Sequence, residues 1–207
     1  MGQLNLKETT SVSYERAEVK KGYTEHSLRI NLTTTDISIN PIEAAVKEKF
    51  IGGKGYDLWM MWNAVSGDTR WDSPENAICI SSGPLGGTPG YPGGGKSIVT
   101  TISPLTGIPI DSNVGGYFGP YKKFAGFDVI QIDGKAEQDT VILIDGIENK
   151  IKVFSASDLP KDSYEMSAAL THYFDEAKPV NVSVVTAGPG AENTFFGCLN
   201  FSWWDAG

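Results

Sequence analysis

Apolar and polar residues alternate from His26 to Leu32 and again from Asp36 to Asn40, with Thr33, Thr34 and Thr35 between them. This pattern predicts a hairpin with one buried face. The preceding stretch, residues 1–22, carries few large apolar side chains and no period, so it reads as an extended amino-terminal arm or frayed terminus ahead of a domain spanning residues 23–207. Asn40, Pro41 and Glu43 stand in the order of cap, first helical position and capping-box acid, and Ile42, Ala45, Val46 and Phe50 then share a face. They predict a helix that stops before Gly52. A second helix, from about Tyr56 to Val65, is apolar nearly all round and calls for burial on most sides, with Trp59, Met60, Met61 and Trp62 as core.

Short β-type runs follow at Ala77–Ser82, Ser97–Ser103, Phe127–Ile132, Val141–Asp145 and Lys150–Phe154, each bounded by Gly, Pro, Asn or Asp. Asp162 and Glu165 cap a helix whose Met166, Leu170, Tyr173 and Phe174 share a face, and Asn181–Thr186 predicts a last strand. The expected class is α+β, predominantly β, with a few peripheral helices. No linker or repeat divides the chain.

Charge removes several function classes. Lys plus Arg number 17 against 25 Asp plus Glu, a formal net charge of −8, and no basic run interrupts the excess. A nucleic-acid or anionic-membrane partner would lack its electrostatic footprint. No apolar stretch reaches the roughly 20 residues of a membrane span, and Met1 to Lys21 has no apolar signal core, so a cytoplasmic location is expected. Cys79 and Cys198 lie far apart with no metal-ligand spacing, which argues against a disulfide scaffold or a metal cluster built by this chain alone.

Glycine changes the picture most. Its 24 residues are concentrated at Gly52, Gly53 and Gly55, at seven positions from Gly83 to Gly95, and at Gly115, Gly116 and Gly119. Such clusters let backbone lie close to a ligand or to other backbone, or make tight turns in a β-rich protein. Within them, Gly90 to Ser97 spells G-x-x-x-x-G-K-S, the letters of a nucleotide-binding P-loop, and Val141 to Asp145 resembles the strand that would hold its magnesium. A P-loop needs a helix to begin at its Lys, whereas Ile98, Val99, Thr100, Thr101 and Ile102 are all β-branched. The expectation is therefore anion capture by backbone N–H groups and Lys96 without the P-loop fold, with a P-loop nucleotide binder at Gly90 to Ser97 as the lesser alternative.

Several segments occur together and in order: Ile51-Gly52-Gly53-Lys54-Gly55, Gly83-Pro84-Leu85-Gly86-Gly87-Thr88, Ser103-Pro104-Leu105-Thr106-Gly107, Ser112 to Gly119, Lys123 to Asp128, and Ala187 to Asn193. Jointly they resemble the amino-terminal domain of the tungsten-containing aldehyde ferredoxin oxidoreductases. The resemblance implies a domain of two packed β-sheets forming the base for a tungsten bis-pterin (tungstopterin), or its molybdenum counterpart, with magnesium bridging the pterin phosphates. It also implies chemistry on an aldehyde, another oxo-type compound or an aryl-CoA, with electrons passing through an iron–sulfur relay to ferredoxin. Lys96 falls where the family has an Arg on a pterin phosphate, keeping the charge but losing the bidentate fork. Asn113 and Gly115 fall on the Asn-x-Gly segment near pterin and magnesium, and Gly95, Ser97, Gly116, Ala206 and Gly207 adjoin these contacts.

The family's 4Fe-4S cysteines have no counterpart here, so that cluster is expected in further domains or in a partner chain. The chain alone would then be catalytically incomplete. The alternative is a non-catalytic scaffold subunit of such a complex. His26, His172, Glu192 and Asn193 read as packing, surface or turn residues, and Lys122 and Lys123 as a solvated face.

Overall fold

The computed structural model describes residues 4–203, which leaves Ala206 and Gly207 outside the described residues. The chain forms β1 (Asn5–Ser13), β2 (His26–Asn31), β3 (Ile37–Pro41), α1 (Ala44–Phe50), α2 (Lys54–Ala64), β4 (Ala77–Ser81), β5 (Ser97–Ile102) and β6 (Pro109–Val114). Then come α3 (Phe118–Phe124), β7 (Val129–Asp133), β8 (Thr140–Asp145), β9 (Lys150–Ser157), α4 (Ser163–Asp175), β10 (Ser183–Ala187), α5 (Pro189–Asn193) and β11 (Leu199–Trp203).

Six strands form a mixed sheet in the order β3-β2-β7-β4-β5-β6, in which only the β2–β7 pair is parallel. One face carries Ala77, Cys79 and Val129 and packs on Tyr56, Met60 and Met61 of α2. The other carries Leu28, Ile30 and Ile130 and packs on Ile151 and Val153 of an antiparallel sheet, β1-β9-β8. The far side of that second sheet, with Val141, Phe154 and Ala156, is covered by Ala169 and Leu170 of α4. The layers therefore run helix, sheet, sheet, helix, and the period-two alternation of each strand feeds two cores at once. A third, two-stranded sheet, β10-β11, lies beside α3 and α4, where Trp203 stacks on Tyr117 at 3.8 Å between ring centroids.

Several expectations are corrected. The segment read as an arm or frayed end is a strand over Asn5–Ser13, paired with β9. Asn40 and Pro41 do not start a helix: Pro41 pairs with His26 at the end of β3, and α1 begins after Glu43. β3 is an edge strand, where the missing N–H of proline is tolerated, so hairpin register overrides the local cap signal. On α2 only Tyr56, Asp57, Met60 and Met61 are buried, while Trp62 is 84% exposed. Asp162 caps α4 as its sequence indicates, accepting the N–H groups of Tyr164 at 2.9 Å and Glu165 at 3.1 Å.

Candidate functional site

The three glycine clusters converge on one end of the six-stranded sheet, where β4 and β6 finish and β5 begins. Gly52 packs on Gly83 just beyond β4: a Cβ at Gly52 would lie 3.3 Å from Gly83 Cα and 3.4 Å from Ser82 O. Gly53, the N-cap of α2, has φ of 56°, a conformation that suits glycine, and a Cβ there would touch Ile98 of β5 at 3.5 Å. Between β5 and β6 the approach is closer. A Cβ at Gly95 would stand 2.5 Å from Gly116 O, and one at Gly119 would collide with Ser97 Oγ. Gly83, Gly115 and Gly116, by contrast, have nothing among the described residues within 4 Å of an added Cβ. The end of the sheet is thus a bare backbone shelf: some glycines let loops interlock, and others leave the backbone open to whatever lies above.

β5 and β6 place the predicted residues on this shelf. Ser97 pairs with Val114 and Ile98 with Asn113, so Lys96 precedes the ladder beside the Gly115-Gly116 turn. Asn113 lies on the face of Asp111, whose carboxylate meets Lys54 of α2 at 2.6 Å. Lys96 and Asn113 are both exposed, and Lys96 has no ion-pair or hydrogen-bond partner among the described residues. Ser97 is different: it is buried against Gly119, and its hydroxyl has no hydrogen-bond partner. β5 begins at Ser97, where a P-loop would start a helix. An exposed, unpaired cation next to open glycine backbone fits a phosphorylated ligand.

Beneath the shelf the structure overturns one reading outright. Lys122 and Lys123 are no solvated face: they are 3% and 1% exposed. Lys122 Nζ donates to Ser82 Oγ at 3.2 Å, Phe127 O at 3.2 Å and Asp128 O at 2.5 Å, which uses its three protons. Lys123 Nζ donates to Gly22 O at 2.6 Å and Gly83 O at 2.8 Å, and faces Asp128 Oδ1 at 3.4 Å. The other oxygen of Asp128 accepts the N–H groups of Thr24 at 3.0 Å and Glu25 at 2.9 Å. The two lysines thus tie the β1–β2 connection, the end of β4 and the start of β7 into one corner, holding Gly83 where Gly52 packs. Burial lowers both ammonium pKa values, that of Lys122 to about 7 with repulsion from Lys123 adding to the effect. Neither histidine joins the shelf: His26 Nδ1 lies 2.9 Å from Thr24 O, and His172 is exposed beside Glu176.

Asp57, on α2 against the same sheet, is fully buried, and Thr100 Oγ1 donates to its Oδ2 at 2.9 Å. Burial pushes its carboxyl up to about 7, opposed by the Ser81 and Thr100 hydroxyls and the Lys122 ammonium, although Oδ1 and Ser81 Oγ make no hydrogen bond of standard geometry. The folded chain then holds a proton that the unfolded chain releases near pH 4, so this group subtracts stability as pH rises from about 4 to 7. Asp57→Asn keeps an acceptor for Thr100 and abolishes that part of the slope. Denaturant unfolding at pH 4.5 and 7.5 should show the variant gaining on the parent by a few kcal/mol at the higher pH; parallel pH profiles would refute it.

A family model described as "Aldehyde ferredoxin oxidoreductase, N-terminal domain" matches residues 27–205. The chain belongs to this family. It is 35% identical over 167 residues to a tungsten-containing aldehyde ferredoxin oxidoreductase of Pyrococcus furiosus, covering 80% of this chain and 27% of that protein. The corresponding enzyme of Pyrococcus abyssi is 34% identical over 173 residues, covering 83% and 28%. A solved structure, the active site complex BamBC of benzoyl coenzyme A reductase with 1,5-dienoyl-CoA, aligns at a TM-score of 0.80 and 27% identity over 87% of this chain and 27% of the other. The chain therefore spans about a quarter of the length of the relatives it matches.

Within this aldehyde ferredoxin oxidoreductase domain, the mixed sheets with few helices agree with the expected class, and a tungsten cofactor goes with the family's relatives. Among the described residues no cluster of His, Cys, Asp or Glu is arranged to hold a metal, and no helix is long and apolar enough to cross a membrane. Sequence reasoning missed the Lys122–Lys123–Asp128 corner. The available signal was a lysine pair on a short helix rich in aromatics, Phe118 to Phe124, directly before an Asp that opens a strand.

Proposed function

We propose that this chain is the base on which a tungsten bis-pterin rests in an oxidoreductase acting on an aldehyde, another oxo-type compound or an aryl-CoA. The observation that carries the reading is the shelf: exposed Lys96, whose side chain has no partner among the described residues, beside the open backbone of Gly115 and Gly116 and two residues before Ile98, the strand partner of Asn113. In this reading Lys96 would supply the point charge for a pterin phosphate, the N–H groups of the Gly95 and Gly115–Gly116 segments would donate to its oxygens, and Asn113 would hold a magnesium ion beside it. Ser97 has a different task, since its buried hydroxyl seats Gly119 and so sets where α3 starts. When bound, a tungsten or molybdenum dithiolene centre supplies the two-electron redox change, while this chain binds and orients it. The iron–sulfur cluster and the substrate pocket belong to further domains or to a partner subunit, and electrons leave to ferredoxin or a similar carrier.

Two measurements test this reading. Anaerobically purified native enzyme should contain stoichiometric tungsten or molybdenum with pterin by elemental mass spectrometry and pterin fluorescence. Clean absence would leave a scaffold subunit instead. Lys96→Met should weaken retention of the phosphorylated cofactor about tenfold, as expected for one lost charge-assisted contact. Thermal unfolding should stay unchanged because the side chain is exposed and unpaired; equal retention by the variant would remove Lys96 from the site.

A further inference from the structure

Between the second and third sheets lies a cavity of about 430 Å³. Every residue from Thr140 to Ile147 and from Asn181 to Thr186 borders it, odd and even positions alike. A strand that lines a space with both sets of side chains is presenting its edge. Among the described residues both edges are unpaired on that side: β8 is bonded only to β9, and β10 only to β11. Floor and roof are apolar. Ile80, Ile130 and Ile132 of the six-stranded sheet lie on one side, and Met166, Leu170 and Phe174 of α4 on the other. Aliphatic residues here are only half covered: Ile142, Leu143, Ile144, Val184 and Val185 are intermediate, and Ile78, in the middle of its sheet, is 37% exposed.

Two facing, unfilled strand edges under apolar layers are what a sheet with a missing member presents. We propose that this slot receives one extended segment from the part of the oxidoreductase outside this domain, which pairs with β8 and β10 and fuses β1-β9-β8 and β10-β11 into one continuous sheet. The segment must be about five or six residues long to match the free edges of Thr140–Asp145 and Ser183–Ala187. It must be aliphatic at nearly every position, because both its faces would be buried. Its ends should be neutral or basic, since Asp145 and Asp175 border the slot and Lys122 has spent its protons on other acceptors. Most of the length of the curated relatives lies outside the region this chain matches, so such an enzyme has ample chain to supply the strand. This inference does not depend on the cofactor reading.

The test uses the 207-residue chain and the probe acetyl-Lys-Ile-Val-Ala-Ile-Val-Lys-amide, alongside the same peptide N-methylated at alternate residues. Amide hydrogen exchange should slow by about tenfold or more in both β8 and β10 with the first peptide and stay unchanged with the second. In the native enzyme the same amides should already be slow, and the probe should not bind. The idea fails if both peptides act alike, which would mean a merely apolar cleft, or if neither protects these strands. It fails equally if native enzyme exchanges as fast as the chain alone, or if light scattering shows the chain dimerising through these edges, which would make a second copy the occupant.

Discussion

Lys123→Met will cost the fold roughly 3–5 kcal/mol, the range for breaking a buried ion pair from one side. The size follows from what is left behind. Lys123 and Asp128 side chains are each 1% exposed, and Asp128 Oδ1 faces no hydrogen-bond donor, only the Lys123 ammonium at 3.4 Å. Without that cation a carboxylate stays in the core, while the carbonyls of Gly22 and Gly83 lose donors at 2.6 and 2.8 Å. The double variant Lys123→Met/Asp128→Asn should recover a good part of the loss, because it removes the orphaned charge while an amide can still accept from Thr24 and Glu25. Guanidinium unfolding of the parent and both variants decides the matter: a single-variant loss below about 1 kcal/mol would mean that the pair behaves as a surface bridge despite its burial. Comparison with Lys96→Met, which should leave stability untouched, separates the lysines that build the shelf from the one that serves it.

How much of this was legible follows from where each residue finds its partners. The β2–β3 hairpin, β4, β5 and the Asp162 cap are encoded within a few residues of themselves, and alternation or a cap reveals them. Asn40-Pro41 misleads because its local helix signal competes with a strand partner, His26, that only the hairpin register supplies. β6 was invisible as a strand: Pro109–Val114 is an edge strand, largely exposed, so its Asp, Ser and Asn hide the period. The lysine corner was least legible of all. Most of its acceptors are backbone carbonyls, and those of Gly22 and Gly83 are distant in sequence, so the one nearby opposite charge, Asp128, does not by itself reveal that the lysines are buried. The shelf glycines were legible as a group but not by role, since sequence does not distinguish a glycine that admits a neighbouring backbone from one that admits a ligand.

That distinction yields the second large effect. Gly95→Ala and Gly115→Ala add the same methyl group to adjoining turns, yet the two variants should fail differently. At Gly95 the methyl meets backbone, 2.5 Å from Gly116 O and 3.3 Å from Gly116 N, and neither atom belongs to a side chain that can swing away. The β5 and β6 ends must part, at about 1–3 kcal/mol for overpacking, and the turn beside Lys96 shifts with them, so stability and cofactor content should fall together. At Gly115 nothing among the described residues lies within 4 Å of the added methyl and φ is outside the left-handed region, so the fold should be indifferent. If that open backbone is where a phosphorylated pterin lies, the methyl occupies the ligand's space, and tungsten and pterin content should drop at least about tenfold with an unchanged melting temperature. Full cofactor content in Gly115→Ala would move the ligand off this shelf, whereas loss of stability in that variant would show the position to be occupied by the protein itself.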